Sequence, residues 1–138
     1  LPIRPSTIPV DTSAQQQSTN RRRSMNARLP RTITQSMQFK NGCATGMSHR
    51  WKNGQYCSIM TEAGIVGCGI YDLATAGEFG QAIAIAKGTP QHPLVDPDDL
   101  LEASIIAATP QALALGIEPG MSGKAAVELM LAANQASS

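Results

Sequence analysis

GIVGCGIYD, residues 64–72, places three glycines around one cysteine in an otherwise apolar run. Three interpretations compete: a phosphate-binding loop, the position of a reactive thiol, or a strand against which neighbours pack closely. A dinucleotide fingerprint needs G-x-G-x-x-G in the turn that opens a helix. Gly67 and Gly69 supply two of the glycines, but Asp72 stands at the third position and both glycines lie inside the apolar run. We therefore interpret the stretch as a central strand that leads into a helix, with glycines where neighbours approach closely.

The segments before this strand predict a β-meander. RTITQSMQF, residues 31–39, alternates apolar and polar residues, which is typical of an edge or pairing strand. Asn53-Gly54 separates two further strand-like segments and favours a type I′ hairpin, whose two central residues take positive φ. Ala63-Gly64 offers a second tight turn just before the central strand.

These turns give the meander a register that sorts its side chains into two faces. Met47 is predicted to lie opposite Met60, and Cys68 opposite Ile59. A slip of one residue at the second turn would exchange the two faces. The predicted core face collects Cys57, Ile59, Val66, Cys68 and Ile70. The predicted amphipathic face collects Met47, His49, Trp51, Tyr56, Ser58 and Tyr71.

The second half of the chain carries helix signals. Asp72, Asp96, Thr109 and Ser122 each precede a segment of helical pattern and are residues that cap helix N-termini. AIAIAKG, residues 82–88, fits either the end of a helix or a short strand. Strands followed mainly by helices predict an α+β fold, in which an antiparallel β-meander extends into a mixed sheet packed by C-terminal helices. We expect one such domain over residues 31–138.

Residues 1–30 read as a disordered basic tail, because they are rich in Pro, Ser, Thr, Gln and Arg and lack apolar periodicity. Residues 1–40 hold seven of the eleven basic residues and one acid, which leaves residues 41–138 with a net charge of −5. RRR at 21–23 suggests phosphate contacts, yet no aromatic residue stands beside it to stack on bases. Nucleic-acid binding is therefore disfavoured.

Composition excludes several classes of protein. No run approaches the roughly 20 apolar residues of a membrane span, and no apolar signal core follows the N-terminus, so we expect a soluble, cytoplasmic protein. Three cysteines without a CxxC pair argue against a disulfide framework and against structural zinc. GMSGKA, residues 120–125, lacks both the first glycine and the Ser/Thr of a P-loop. We predict no metal site and no cofactor.

Cys68 is the candidate nucleophile. A reactive thiol needs a neighbouring base or positive charge to lower its pKa. The chain's two histidines are the candidate bases: His49 lies on the opposite predicted face from Cys68, and His92 stands in the loop TPQHPLVDP, residues 89–97. The candidate catalytic residues are thus Cys68 and His49. The candidate ligand or interface residues are Met47, Trp51, Tyr56, Ser58, Gly67, Gly69, Tyr71 and Asp72.

The order of segments resembles the YunC-like family of small bacterial and archaeal proteins of unknown function. The resemblance rests on Cys68-Gly69 with Tyr71-Asp72, on residues 99–101, and on the closing segment LGIEPGMSGKAAVELM, residues 115–130. It covers roughly residues 40–133 and implies a compact α+β domain with a mixed sheet. It brings no substrate or catalytic residue, and it implies a bacterial or archaeal source.

Two functional hypotheses follow. The first is a non-enzymatic binding or homo-oligomeric assembly module that uses the face of Met47, Trp51 and Tyr56, since aromatic and Met side chains are enriched in interface cores. The second is an enzyme that binds a small molecule and uses Cys68 with a histidine. A pocket joining Cys68 to a histidine favours the second, and a flat apolar patch with Cys68 buried favours the first.

Overall fold

The computed structural model describes residues 29–137, and side chains up to residue 133. The expected disordered tail therefore lies, apart from its last two residues, outside the described part of the chain. Residues 29–137 form six strands and four helices. The strands are β1 (Arg31–Phe39), β2 (Gly42–Trp51), β3 (Gly54–Met60), β4 (Gly64–Gly67), β5 (Ala82–Lys87) and β6 (Ser104–Ala108). The helices are α1 (Leu73–Glu78), α2 (Pro97–Leu100), α3 (Pro110–Leu113) and α4 (Gly123–Ser137).

The six strands form one sheet in which spatial order follows chain order, from β1 to β6. Every neighbouring pair is antiparallel except β4 and β5, which are parallel and connected through α1. The prediction of an α+β fold with a meander extended into a mixed sheet is confirmed. AIAIAKG is a strand over most of its length, and its burial on both faces explains why its pattern is apolar throughout.

The main core lies between one face of the sheet and the helices α2, α3 and α4. Its fully buried side chains include Cys57, Ile59 and Val66 from the sheet and Val127 and Met130 from α4. On the other face, α1 covers only the part built by β4 to β6, where a smaller cluster of Ala76, Ile83 and Ile85 is buried. No helix within residues 29–137 has both the length and the apolar character that a bilayer span requires.

The type I′ turn predicted at Asn53-Gly54 is wrong. The two loop residues of the hairpin are Lys52 and Asn53, because Trp51 pairs directly with Gly54, and neither loop residue has a positive φ. The glycine has a different role: a Cβ on Gly54 would lie 2.6 Å from the Trp51 ring. Gly54 therefore provides space for an aromatic side chain on the facing strand. The observed register differs from the predicted one by two residues, so Met47 lies opposite Ser58 and the assignment of side chains to faces is unchanged.

The turn between β3 and β4 also differs by two residues from the prediction. The Thr61 hydroxyl accepts hydrogen bonds from the backbone N–H groups of Ala63 and Gly64, at 3.2 and 3.0 Å, which closes the turn around the threonine rather than around Ala63-Gly64. Ile59 consequently pairs with Val66. The prediction that Ile70 belongs to the core is wrong, since β4 ends at Gly67 and Ile70 is 55% exposed in the turn that follows.

The predicted helix caps are present. The carboxylate of Asp72 accepts hydrogen bonds from the Ala74 N–H and the Thr75 hydroxyl, and the Ser122 hydroxyl accepts one from the Ala125 N–H. The buried Thr109 hydroxyl forms three hydrogen bonds: it donates to the Gln81 carbonyl and accepts from the N–H groups of Ile83 and Ala112. This one side chain therefore joins the start of β5 to the start of α3.

Candidate functional site

The part of the sheet built by β1, β2 and β3 has one face that no described helix covers. We call this surface the open face. Because side chains alternate along a strand, the pairing register assigns its members. They are Thr32, Thr34, Ser36, Gln38, Cys43, Thr45, Met47, His49, Trp51, Gly54, Tyr56, Ser58 and Met60. None of them is Lys, Arg, Asp or Glu, although such residues make up 15% of the chain.

Aromatic side chains lie together at one end of the open face. The ring of Tyr56 is 4.6 Å from that of His49 and 6.2 Å from that of Trp51, measured between ring centroids. Tyr71 meets Tyr56 edge to face at 6.1 Å. Contacts at both ring nitrogens hold the His49 side chain: Nδ1 lies 2.8 Å from the Thr32 hydroxyl and Nε2 lies 3.2 Å from the Met47 sulfur. The predicted amphipathic set is thus brought together by direct contacts.

Tyr71 reaches the edge of the open face from the turn after β4. Its ring lies over Gly67, where a Cβ would approach the ring to 2.3 Å and displace it. Burial raises the pKa of the Tyr71 hydroxyl, an effect that its hydrogen bond with Ser58 partly offsets. Gly67 therefore has the close-packing role predicted for it. Gly69 does not, because a Cβ added there would meet no atom within 4 Å.

Cys68 continues the register of β4 and lies opposite Cys57, whose carbonyl accepts a 3.1 Å hydrogen bond from the Cys68 N–H. Cys57 points into the main core and is 0% exposed. Burial first, and then the neighbouring Cys68, Asp99 and Asp96, raise the pKa of the Cys57 thiol to about 12. Cys68 itself is half-buried and Cys43 is exposed. All three are free thiols.

The two candidate catalytic residues are not brought together. His49 lies on the open face with its ring nitrogens on Thr32 and Met47, whereas the register of β3 and β4 places Cys68 on the core side of the sheet. His92 is exposed in the loop between β5 and α2, and its backbone closes that loop through Thr89. The strand register therefore separates Cys68 from His49 by the thickness of the sheet.

A buried ion pair lies under the opposite face of the same strands. Arg50, 3% exposed, forms a salt bridge with Asp96, and its Nε donates to the Ser48 hydroxyl at 3.2 Å. Ser48 in turn donates to the Val95 carbonyl at 2.8 Å. This group was not among the residues predicted from the sequence. Strand alternation was the available signal, since Arg50 occupies the same face as the buried Ser48 and Cys57.

A cleft of about 920 Å³ lies at the far side of the sheet, between the start of β6 and the loop before α2. Its lining includes Lys87, His92, Asp98, Glu102, Ser104 and Ile106. Cys68 is not part of this lining. Within residues 29–137, no group of three or more His, Cys, Asp or Glu side chains has the spacing of a metal site.

Comparisons with known proteins support the resemblance to the YunC-like family. A family model described as a domain of unknown function (DUF1805) matches residues 67–130, and the resemblance is thereby confirmed. The crystal structure of a protein of unknown function from Thermoplasma acidophilum has the same fold, with a TM-score of 0.63 and 19% sequence identity. That match covers 72% of this chain and 93% of the other. No curated protein matches the sequence.

Proposed function

We propose that this domain is a non-enzymatic assembly module that binds a second copy of itself through the open face. The observation that carries the proposal is the absence of charged side chains across three adjacent strands of an uncovered sheet face in residues 29–137. Charged residues are depleted, and aromatic and Met residues enriched, in the cores of protein interfaces. A face without net charge also approaches its own copy without electrostatic repulsion.

The apolar side chains of the open face supply the anchors for such a contact. Trp51 and Met60 are 44% and 40% exposed, at opposite ends of the β2–β3 hairpin. Trp51 is held in place by Gly54 beneath it and by Tyr56 beside it, so its ring is ordered before any partner arrives. Large aromatic side chains held in this way lose little conformational freedom on binding, which is typical of residues that dominate binding energy.

Trp51→Lys is expected to halve the mass of the protein in solution. The substitution removes an interface anchor and adds a charge to each of the two facing surfaces, which we expect to raise the dissociation constant about 30-fold or more. Sedimentation equilibrium of the full chain measures this mass against the 14.5 kDa of one copy. Ile106→Lys is the matched control, since Ile106 is 47% exposed but lies on β6, at the other end of the sheet.

A wild-type protein that sediments as a single chain at concentrations of about 100 µM would refute self-association through the open face, because specific interfaces of standard size bind more tightly than that. Equal loss of mass in the Trp51→Lys and Ile106→Lys variants would also count against it, since added charge alone would then explain the effect. Unfolding curves of both variants separate dissociation from loss of fold.

The alternative function is a small-molecule enzyme that uses Cys68 with a histidine. One observation favours ligand binding: the cleft that contains His92 has a volume of about 920 Å³, within the range of small-molecule sites. The positions of the candidate catalytic residues do not favour an enzyme at this cleft. Cys68 lies outside that cleft, and His49 faces the other side of the sheet. The thiols distinguish the two functions by their reactivity.

Thiol labelling of the native protein across pH, followed for each cysteine by mass spectrometry, is expected to modify Cys43 first. Cys57 is expected to react only on unfolding, because it is fully buried and its pKa is raised to about 12. Rapid labelling of Cys68 below neutral pH, ahead of the exposed Cys43, would show that Cys68 is a reactive thiol and not a packed one. That result would favour the enzyme.

We also propose a cytoplasmic location. Its support is the set of free thiols at Cys43, Cys57 and Cys68, of which Cys43 is exposed. Exposed free cysteines persist in reducing compartments, whereas oxidising compartments favour paired ones.

A further inference from the structure

Cys57 and Cys68 lie directly opposite each other at the end of the β3–β4 ladder. The register Ser58↔Gly67 continues by one step along both strands and joins the two cysteines. The Cys68 N–H donates to the Cys57 carbonyl at 3.1 Å, so the pairing extends past the last residue of β4. The predicted register had Ile59 opposite Cys68, and the two-residue difference at the turn between β3 and β4 brings the cysteines together.

The two side chains also share one face of the sheet. Opposite residues of an antiparallel pair direct their side chains to the same side, which here is the core side. Cys57 is fully buried there and Cys68 is half-buried. Burial first, and the neighbouring Cys68 second, raise the pKa of the Cys57 thiol, which is the electrostatic mark of two sulfurs close to each other.

The spacing of such a pair suits a disulfide with some strain. Opposite residues joined by a ladder hydrogen bond have Cα atoms about 5.5 Å apart, and disulfides span Cα distances of about 4.4–6.8 Å. The Cβ atoms of opposite residues are about 4.5–5.5 Å apart, whereas a disulfide holds them at about 3.5–4.5 Å. The strands must therefore approach each other slightly, and a disulfide formed under strain is readily reduced again.

We propose that Cys57 and Cys68 form a reversible disulfide within one chain when hydrogen peroxide oxidises Cys68. This inference goes beyond the proposed assembly function, because the bond lies on the core side of the sheet and joins no second copy. Half burial leaves Cys68 within reach of an oxidant as small as hydrogen peroxide. Disulfides of reducing compartments are mostly transient and respond to oxidants, so the inference agrees with a cytoplasmic location.

The reaction proceeds in two balanced steps. In the first, the Cys68 thiolate attacks one peroxide oxygen: an S–O bond forms, the O–O bond breaks, and the sulfur loses two electrons to become a sulfenic acid. The hydroxide that leaves takes up the proton released by Cys68. In the second, the Cys57 sulfur attacks the Cys68 sulfur, an S–S bond replaces the S–O bond, and the leaving hydroxide takes up the proton of Cys57. Two thiols and one peroxide give one disulfide and two waters.

The burial of Cys57 makes it a selective partner for this second step. Labelling reagents in solvent do not reach it, because it is fully buried. The sulfenic acid of Cys68 forms directly beside it, and a group held in position reacts as if it were present at very high concentration. The raised pKa of Cys57 leaves little thiolate, so the second step is slow and oxidised Cys68 is expected to be seen first.

The disulfide would tie the turn that precedes α1 to β3. In the reduced protein, the exposed Gly69 and Ile70 follow the hydrogen bond of Cys68 at the end of the ladder. The ends of a ladder open locally more easily than its middle. We therefore expect amide hydrogen exchange in residues 68–72 to slow by about tenfold or more on oxidation. Unchanged exchange in the cross-linked protein would show that the bond does not hold this turn.

The test treats the native full chain with equimolar hydrogen peroxide, blocks the remaining thiols and maps the peptides by mass spectrometry. We expect a Cys57–Cys68 cross-link and a chain mass lower by two hydrogen atoms. This pairing should exceed those that include Cys43 by about tenfold or more, because position selects it. Dithiothreitol is expected to restore both thiols. Protein unfolded in urea provides the comparison, since the cysteines are no longer held together there and all pairings are expected to form.

Three variants identify the partners. Cys57→Ala is expected to leave Cys68 oxidised without a cross-link, and Cys68→Ser is expected to leave the buried Cys57 reduced. Cys43→Ser is the matched control and should keep the cross-link.

Four results would overturn the inference. They are a wild-type Cys68 that proceeds to sulfinic acid while Cys57 stays a thiol, a Cys68 left reduced while Cys43 is oxidised, a cross-link to Cys43 or between two chains, and a cross-link that dithiothreitol does not open in the native protein. None of them bears on the open-face contact, which is measured by the mass of the reduced protein.

Discussion

Asp96→Asn is expected to lower the free energy of unfolding by about 3 kcal/mol. The substitution removes the carboxylate charge from the Arg50 guanidinium, which is only 3% exposed and cannot recover hydration without unfolding. Breaking a buried ion pair by removing one partner costs about 3–5 kcal/mol, and the 20% exposure of Asp96 places this pair at the lower end. Asparagine keeps the ability to cap α2, so the effect isolates the lost charge. Urea unfolding at neutral pH measures it.

The double variant Arg50→Met/Asp96→Asn tests the cause of this loss. Methionine fills the same space without a charge, so the double variant is expected to regain most of the stability that Asp96→Asn loses. Asp98→Asn is the matched control on the same helix: Asp98 is exposed, and its change is expected to stay within about 0.5 kcal/mol. A double variant no more stable than Asp96→Asn would show that the loss comes from the loop before α2 rather than from a stranded charge.

Gly64→Ala is expected to lower the free energy of unfolding by about 3 kcal/mol. Gly64 pairs with Ala82 at the start of the parallel β4–β5 ladder. A Cβ at this position would overlap the Ala82 carbonyl oxygen and lie 2.9 Å from the Ala82 side chain. A backbone atom cannot rotate away as a side chain can, so the two strands would have to separate where the ladder begins. Overpacking of this kind costs about 1–3 kcal/mol, and a backbone clash lies at the upper end.

Gly69→Ala is the control for Gly64→Ala. It changes a glycine to alanine five positions later. A Cβ added at Gly69 meets nothing within 4 Å, and the backbone there does not need a positive φ. Its stability is expected to stay unchanged or to rise by up to about 1 kcal/mol, since alanine restricts the unfolded chain. Comparable losses in the two variants, measured by thermal unfolding, would refute the assignment of close packing to Gly64.

The sequence predicted the fold class and the faces of the meander better than it predicted the turns. Alternation in β1, β2 and β3 placed Cys57 and Ile59 in the core and Met47 and Tyr56 on the other face, and the structure agrees. The register at both turns differs from the predicted one by two residues, because side-chain interactions decide the turns. At the first turn the Trp51 ring packs over Gly54, and at the second the Thr61 hydroxyl accepts backbone hydrogen bonds. A shift of two preserves the faces, so the errors did not propagate.

The candidate site was predictable as a surface and not as a reaction. The placement of His49, Trp51 and Tyr56 on one face follows from strand register alone, whereas Tyr71 joins them from the turn after β4. The partners of His49 were missed, because they depend on the pairing of Thr32 with β2, and the sequence prediction assigned no turn to the Asn41-Gly42 signal between those two strands. The Arg50–Asp96 pair joins positions 46 residues apart, beyond the reach of any local pattern. Long-range pairing therefore decides both the chemistry of His49 and the burial of Arg50.

The agreement between strand order and chain order has a consequence for how the protein is made. Each strand of the sheet completes its pairing with the strand synthesised just before it, so the meander from β1 to β4 can form while the rest of the chain is still on the ribosome. Contacts between neighbours in sequence close short loops, which favours fast folding. β5 differs, because it pairs in parallel with β4 and can do so only after the crossover connection through α1 has been made. We therefore expect β1 to β4 to gain structure during translation, with the last helices sealing a sheet that already exists.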